Sequence, residues 1–216
     1  MDLVVPVKPL HAAKSRLRGA ADCGVGDPDA HAALALALAH DTVAAVRAAQ
    51  AVRRLLVVSS DPVVAAELAA VGVEVAPDVG GGLNAALRHG AGLLRAADPG
   101  APVGALQADL PALRPEELDE AVAAAGALAA AGRGRAFCAD ADGRGTTLLL
   151  AAAGVPLDPR FGDGSAARHG ATGAVALDGP WPGLRRDVDT GDDLRAAAGL
   201  GLGPHTRAVL APTGRC

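Results

Sequence analysis

Residues 54–76 read RLLVVSSDPVVAAELAAVGVEVA. Two short β-branched runs flank an Ala-rich segment, and a turn containing Asp61 and Pro62 precedes that segment. Asp is a favoured helix cap and Pro a favoured first helical residue. The stretch therefore predicts a strand over Arg54 to Ser59, a helix over Val63 to Ala70 and a strand over Val73 to Ala76. Strands that alternate with helices are typical of a mostly parallel sheet covered by helices.

The same alternation extends in both directions along the chain. It predicts strands over Leu3 to Val7 and Pro102 to Gln107, and helices over Ala32 to Gln50, Leu83 to Ala97 and Pro115 to Ala131. After residue 132 the pattern changes: it predicts a hairpin of Arg135 to Cys138 with Thr146 to Ala152, a short helix over Ser165 to His169, a strand over Arg185 to Asp189 and a helix over Asp192 to Ala198.

The fold class predicted is therefore α/β, with a mostly parallel central sheet and helices on both faces. We expect a single Rossmann-like domain over residues 1–200. Residues 201–216 are interrupted by Gly and Pro, so we expect a loosely packed C-terminal tail there.

Composition excludes several classes of protein. The 216 residues carry a net charge of −4, which gives no chain-wide attraction to nucleic acid or to anionic membranes. With two Phe, one Trp and no Tyr, the chain lacks the rings that single-strand nucleic-acid binders use for stacking. No apolar run reaches the roughly 20 residues of a membrane span. The N-terminus lacks a signal-peptide pattern, so we expect a cytoplasmic protein.

Residues 5–17, VPVKPLHAAKSRL, form the first candidate site. They hold both lysines of the chain, Lys8 and Lys14, together with Arg16. The loop follows a predicted strand, at the end of the sheet where α/β proteins bind ligands. This pattern favours an anion site, and the alternative is a solvated cationic loop.

Two common phosphate-binding motifs are absent. A Walker A motif ending at Lys14-Ser15 would need Gly where Lys8 and Ala13 stand. The glycines at Gly24 and Gly26 follow no predicted strand and lack the third glycine of a dinucleotide fingerprint. These departures argue against P-loop ATPases and NAD-dependent oxidoreductases.

A second candidate is the run Gly80 to Gly82, followed by Leu83 and Asn84. Glycine allows close backbone approach, and the Asn84 amide offers a donor and an acceptor that could read a purine or a ribose. Alternatively, Asn84 caps the following helix.

Three aspartates form a third candidate. Asp109 follows a predicted strand in QADLPAL, residues 107–113. Asp187 and Asp189 alternate with Val188 and would share one face of a strand. Carboxylates placed in this way suit Mg²⁺, which needs one or two of them beside substrate phosphates. The alternative makes Asp109 a turn residue and uses one of the other two as a helix cap.

The fourth candidate is the turn FGDGSAARH, residues 161–169. Its glycines precede a helix, so free amide N–H groups and the Ser165 hydroxyl could bind an anion. Thr146 or Thr147 would add a second hydroxyl. Such a site suits a small phosphorylated acid, whereas His169 is expected to be a surface or packing residue.

Taken together, six motifs resemble one enzyme family. They are VPVKPLxxAKSRL, GGGLNAAL, QADLPAL, GxGTT, FGxGSxxxH and RDVDT, in this order from residue 3 to about 194. The set resembles the guanylyltransferases of deazaflavin coenzyme F-420 biosynthesis, which act on 2-phospho-L-lactate or phosphoenolpyruvate. The resemblance implies a fold similar to nucleoside-diphospho-sugar transferases and transfer of GMP from GTP to the phosphate of the three-carbon acid, with pyrophosphate released.

The resemblance also implies roles for individual residues. Lys8, Lys14 and Asp109 would be catalytic; Lys8, Lys14, Arg16, Gly82 and Asn84 would contact the nucleotide; Thr147, Gly162 and Ser165 would bind the acid; and Asp109, Asp187 and Asp189 would hold Mg²⁺. One departure is Ala108, where relatives more often have Gly.

Several alternatives remain open. The acceptor could be a molybdopterin or a sugar phosphate, since pieces such as DLPAL recur in molybdenum-cofactor guanylyltransferases. A nucleotide-binding module without turnover is a further alternative, although the three aspartates argue against it. The residues do not distinguish phosphoenolpyruvate from 2-phospho-L-lactate or select guanine. Hand-over of the product to the next enzyme is also expected from the resemblance.

Overall fold

The computed structural model describes residues 1–12, 15–22 and 24–211. Within these residues one sheet contains seven strands: β1 (Asp2–Pro6), β2 (Arg54–Ser59), β3 (Glu74–Pro77), β4 (Val103–Leu106), β5 (Arg135–Ala139), β6 (Thr146–Ala151) and β7 (Val175–Ala176). The α-helices are α1 (Pro28–Ala48), α2 (Pro62–Ala70), α3 (Leu83–Ala97), α4 (Pro115–Ala130), α5 (Ser165–Ala171), α6 (Pro182–Arg185), α7 (Gly191–Leu200) and α8 (Pro204–Leu210).

The strand order in the sheet is β3-β2-β1-β4-β6-β5-β7. Strands β1 to β4 pair in parallel through crossovers, whereas β6 runs antiparallel to both β4 and β5. A short turn can join only antiparallel strands, which is why the β5–β6 hairpin reverses one strand. The predicted α/β class with a mostly parallel sheet is confirmed, and so is the hairpin.

Alternating side chains of the strands pack against helices on the two faces of the sheet. In β1, Leu3 and Val5 pack on the face covered by α1, α2 and α4, while Val4 packs on the face covered by α3. In β6, Leu148 and Leu149 divide in the same way. The period of two residues in a strand produces this division, and both faces are buried because helices cover each of them.

Capping residues determine where several helices begin. Asp61 caps α2 as predicted, since its Oδ1 accepts the Val63 N–H at 2.9 Å. Helix α1 begins at Pro28 rather than at the predicted Ala32, because Asp27 accepts the Asp29 N–H at 3.0 Å and Pro28 fits the first helical position.

The described part of the C-terminal segment packs more closely than we expect from its sequence. Helix α8 lies against α1, and the buried carboxylate of Asp41 accepts the N–H groups of His205 at 3.0 Å and Thr206 at 2.8 Å. The rings of His40 and His205 stack with their centroids 4.8 Å apart. The acidic cap comes from a distant helix, so local Gly and Pro content gives no sign of it.

The predicted strand over Arg185 to Asp189 is wrong. Pro182 begins the short helix α6, which ends at Arg185, and the following residues run outside the sheet. Val188 is nevertheless fully buried, whereas Asp187 is half-buried and Asp189 is exposed. In the part of the chain that the structure describes, no helix is long and apolar enough to cross a membrane.

Candidate active site

A cleft of about 720 Å³ opens at the carboxyl ends of β1 and β4. The chain proceeds from β1 outward to β2 and β3 and then returns to place β4 on the other side of β1. This arrangement is a topological switch point, where open α/β sheets bind ligands. The loops after β1 and β4, the β5–β6 turn, the turn before α5 and the segment after α6 all line the cleft.

Asp109, Asp187 and Asp189 line one side of the cleft and form what we call the acidic wall. Asp109 is buried, Asp187 is half-buried and Asp189 is exposed. The Val188 N–H donates to the Asp109 carbonyl oxygen at 3.0 Å, which joins the two segments. The structure therefore brings the three predicted aspartates together although they are separated by about 80 residues of sequence.

A threonine that the sequence analysis missed supports Asp109 from behind. Thr42 is fully buried in α1, and its Oγ1 accepts the Leu110 N–H at 2.9 Å and lies 3.0 Å from the Ala108 carbonyl oxygen. These contacts hold the backbone on both sides of Asp109. A polar residue within an Ala- and Leu-rich helix is the only sequence signal for this role.

A buried glutamate holds the segment that leads to the other two aspartates. Glu117 accepts the N–H groups of Gly183 at 3.1 Å and Leu184 at 2.9 Å, so it ties the start of α4 to α6. The sequence predicts only a favourable position for Glu117 in the first turn of α4. Its partners lie 66 and 67 residues away, beyond what a local pattern indicates.

The structure also settles how α7 is capped. Thr190 is the N-cap, and its Oγ1 accepts the Asp193 N–H at 3.2 Å. The alternative in which Asp187 or Asp189 serves as the cap is therefore excluded.

Lys8 and Arg16 line the cleft with exposed side chains, and we call this pair the cationic rim. Lys14 lies outside the described residues. The loop that follows Lys8 is anchored by Asp61, whose Oδ2 accepts the Leu10 N–H at 2.8 Å. Burial would raise the pKa of Asp61, but the N–H groups of Leu10 and α2 outweigh it and hold the pKa below its usual value.

Thr146, Gly162 and Ser165 line another side of the cleft and form what we call the hydroxyl wall. The Oγ atoms of Thr146 and Ser165 lie 3.0 Å apart, and both residues are buried. Gly162 has a φ of 120° and Gly164 a φ of 68°, both in the region that favours glycine. This turn places Ser165 at the first position of α5.

The free amide groups expected at the start of α5 are in part occupied. The Ser165 N–H donates to the Gly162 carbonyl oxygen at 3.0 Å, and the Ala166 N–H donates to the Arg144 carbonyl oxygen at 3.0 Å. The Gly162 carbonyl belongs to the tight turn before α5, and the Arg144 carbonyl comes from the β5–β6 turn. These two amide N–H groups are therefore already paired, and Ser165 contributes its hydroxyl group to the hydroxyl wall.

Thr147 does not line the cleft, whereas Thr146 does. Thr147 is fully buried beside the free thiol of Cys138, whose pKa is raised by burial. The β5–β6 pairing shifts by one residue between Cys138 and Ala139, so that Ala139 lies opposite Thr146. Strand alternation along the sequence does not reveal this irregularity.

Gly82 and Asn84 lie at the start of α3, next to Leu83, which lines the cleft. Gly82 is the N-cap of this helix. The Asn84 side chain binds the backbone of Phe161 twice: Oδ1 accepts its N–H at 2.8 Å, and Nδ2 donates to its carbonyl oxygen at 3.1 Å. Asn84 thus braces the turn that carries the hydroxyl wall.

Among the described residues, no group of three His, Cys, Asp or Glu side chains is arranged to hold a metal ion by itself. The acidic wall therefore offers carboxylate oxygens without a complete protein cage. This donor set fits Mg²⁺, which binds through one or two carboxylates and is completed by phosphate oxygens and water.

Known proteins are similar to this chain over nearly its full length. No family model matches the chain. It is 55% identical to a phosphoenolpyruvate guanylyltransferase of Geodermatophilus obscurus, over 99% of this chain and 95% of that protein. It is 56% identical to a protein of the same name from Streptomyces scabiei, over 97% and 95% of the two chains. The chain belongs to the phosphoenolpyruvate guanylyltransferase family.

Solved structures place the fold of this phosphoenolpyruvate guanylyltransferase family member among nucleotidyltransferases. A putative nucleotide-diphospho-sugar transferase from Desulfovibrio desulfuricans superimposes with a TM-score of 0.67 at 18% identity, covering 97% of this chain and 92% of the other. A nucleotidyl transferase from Methanothermobacter gives 0.62 at 20% identity, covering 93% and 97%. The family and the fold implied by the six motifs are both confirmed.

Proposed function

We propose that this chain transfers GMP from GTP to the phosphate of phosphoenolpyruvate and releases pyrophosphate, as a step of coenzyme F-420 biosynthesis. The full-length similarity to phosphoenolpyruvate guanylyltransferases carries the proposal, and it favours this acid over 2-phospho-L-lactate. The cleft supports it, because one cavity holds an acidic wall, a cationic rim and a hydroxyl wall. We place the reaction in the cytoplasm, since both substrates are multiply charged metabolites.

The proposed reaction does not require a general base. A phosphate oxygen of the acid forms a bond to the α-phosphorus of GTP, and the bond from that phosphorus to the bridging oxygen breaks to release pyrophosphate. The attacking oxygen is already anionic, so no proton must be removed. Catalysis then depends on positioning and on charge neutralisation.

Different residues of the cleft would bind and position the two substrates. Lys8 and Arg16, with Lys14 from outside the described residues, would bind the triphosphate. Thr146 and Ser165 would bind the acid beside Gly162. Asn84 connects the start of α3 to the turn that carries the hydroxyl wall. Through this connection the turn would help to position the two substrates relative to each other.

Asp109, Asp187 and Asp189 are the residues that would hold Mg²⁺. When bound, such an ion reduces the repulsion between two polyanions and stabilises the charge on the leaving group. Thr42 bonds the backbone on either side of Asp109, and Glu117 holds α6, the short helix that precedes Asp187.

The deciding experiment measures pyrophosphate release by the purified chain with Mg²⁺. GTP, ATP and CTP are each combined with phosphoenolpyruvate, 2-phospho-L-lactate, a sugar phosphate and a molybdopterin. The reactions are repeated with the next enzyme of the pathway, because we expect the product to be handed on. Release that requires both GTP and phosphoenolpyruvate supports the proposal.

Release with a different acceptor, or binding of nucleotide without release in either format, would overturn it. A thermal shift with GTP separates the second outcome from a misfolded preparation, since ligand binding to the native state raises the unfolding temperature.

A further inference from the structure

His169 lies directly behind the hydroxyl wall and has no exposed surface. Its ring packs beside Phe137 and Phe161, with centroid distances of 5.9 Å and 5.2 Å. Its two nitrogens contact different parts of the chain: Nδ1 lies 3.0 Å from Thr146 Oγ1, and Nε2 lies 2.9 Å from the backbone nitrogen of Arg160.

The contact with Arg160 determines the tautomer. A backbone N–H can only donate, so Nε2 must accept and carries no proton. Burial, followed by the charges of Arg168 and Arg135, lowers the pKa of His169 to about 4. Arg160 acts in the same direction and Asp158 in the opposite one. The ring is therefore neutral near pH 7, and its one proton lies on Nδ1, where it is donated to Thr146.

The direction of the hydrogen bond between His169 and Thr146 decides how many hydroxyl protons face the cleft. Thr146 and Ser165 have two hydroxyl protons between them, and the bond between their Oγ atoms uses one. Because His169 donates to Thr146 and does not accept from it, the other proton stays available. In the opposite tautomer, Thr146 would donate to His169 and Ser165 would donate to Thr146, and no proton would remain for an anion.

We propose that His169 is a positioning residue: by donating from Nδ1 to Thr146, it keeps one hydroxyl proton of the Thr146–Ser165 pair for an anionic oxygen of the three-carbon acid. This inference rests on the proposed function for the identity of the acid. His169 itself touches no substrate and transfers no proton in the reaction.

Two substitutions test the roles of the two ring nitrogens separately. In His169→Asn an amide nitrogen can take the place of Nδ1 and still donate to Thr146. In His169→Gln an amide oxygen can take the place of Nε2 and still accept from Arg160, but the donor that fixes the orientation of the Thr146 hydroxyl is lost, so the remaining hydroxyl proton is no longer held toward the cleft. We expect His169→Gln to raise KM for phosphoenolpyruvate about tenfold, the size of one hydrogen bond to a charged group. KM for GTP should stay within about twofold, and His169→Asn should retain most of the acid affinity.

Thr146→Val and Thr172→Val form a matched pair for this test. Thr146→Val removes the link between the ring and Ser165 and should raise KM for the acid as His169→Gln does. Adding His169→Gln to Thr146→Val should then have no further effect on that KM, because the shared contact is already gone. The Thr172 hydroxyl donates only to the His169 carbonyl oxygen in the structure, at 2.8 Å, so Thr172→Val should leave KM for the acid unchanged.

Equal losses in His169→Asn and His169→Gln, or equal rises in KM for GTP and for the acid, would overturn the proposal in favour of a packing role. Histidine NMR of ¹⁵N-labelled protein tests the premise without turnover, with His169→Gln identifying the resonance. We expect the Nδ1-protonated neutral ring from about pH 5.5 to 8.5. A ring protonated on Nε2, or one that titrates in this range, would also overturn it. Wild-type protein that shows no acid-dependent pyrophosphate release would instead overturn the proposed function.

Discussion

The hydroxyl wall and the cationic rim belong to one cleft but are constructed differently. Thr146 and Ser165 are buried, and hydrogen bonds within the protein fix them, since Ser165 is bonded to Thr146 and Thr146 to His169. Lys8 is an exposed side chain on the loop after β1, and Arg16 is an exposed side chain of a short 3-10 helix, Ser15–Leu17. Preorganised groups lose little freedom on binding, whereas flexible cations are ordered only when the ligand arrives. The hydroxyl wall is thus suited to select the acceptor, and the cationic rim to attract and hold charge.

The largest loss of turnover should come from a change in the acidic wall, the third group of residues that lines the cleft. Asp109→Asn keeps the size of the side chain but removes the buried negative charge that would bind Mg²⁺. We expect Mg²⁺-dependent pyrophosphate release to fall about a thousandfold or more, as for other groups that stabilise transition-state charge. Asp178→Asn, at an exposed position that does not line the cleft, is the control. Turnover of Asp109→Asn near the wild-type level would remove Asp109 from the catalytic site.

The next largest effect would test the contrast between the cationic rim and the hydroxyl wall. Lys8→Gln should lower kcat/KM about tenfold to thirtyfold and weaken its dependence on ionic strength, because exposed charges are screened by salt. Arg18→Gln, which changes an exposed charge on the same loop outside the cleft, should alter neither property. A Lys8→Gln enzyme with the full salt dependence would show that the rim does not act through charge.

Thr42→Val tests whether the backbone around Asp109 is held as firmly as the hydroxyl wall. Loss of the Thr42 hydroxyl leaves the buried Leu110 N–H without its acceptor, at a cost of about 1–3 kcal/mol in the free energy of unfolding. Denaturant unfolding measures this cost, and turnover should fall with it. The half-buried Thr172→Val is the control for loss of a threonine hydroxyl. An unchanged unfolding midpoint would mean that Thr42 does not hold this loop.

The smallest effect concerns the anchor of the loop that carries Lys8. Asp61→Ala should lower the free energy of unfolding by about 1–2 kcal/mol at pH 7, because it removes a helix cap together with the acceptor for the Leu10 N–H. The folded-state pKa of Asp61 lies below its unfolded value. The contribution of its charge is therefore complete above the unfolded pKa of 3.8 and is lost as pH falls through the folded value. Chemical denaturation should show the full difference from wild type at pH 7 and a difference that shrinks as pH is lowered below 3.8.

Local patterns in the sequence determined the α/β class, most element boundaries and the order of the site motifs. The Asp61-Pro62 pair fixes the start of α2 because capping involves neighbours two or three residues away. The alternation of short β-branched runs with Ala-rich segments indicates buried strands covered by helices. This pattern is also local, because each repeat is completed within one strand or one helix. The family could also be predicted, because six motifs occur in one order.

Only the tertiary structure decided which of these residues lie together. The contacts of Thr42 with the residues beside Asp109 span 66 and 68 positions, and the bonds of Asn84 with Phe161 span 77. That Thr146 rather than Thr147 lines the cleft accompanies a shifted strand pairing, and the tautomer of His169 depends on the backbone N–H of Arg160, nine residues earlier in the chain. Hydrogen bonds between distant segments form only after the chain has folded, so no short-range pattern along the sequence records them.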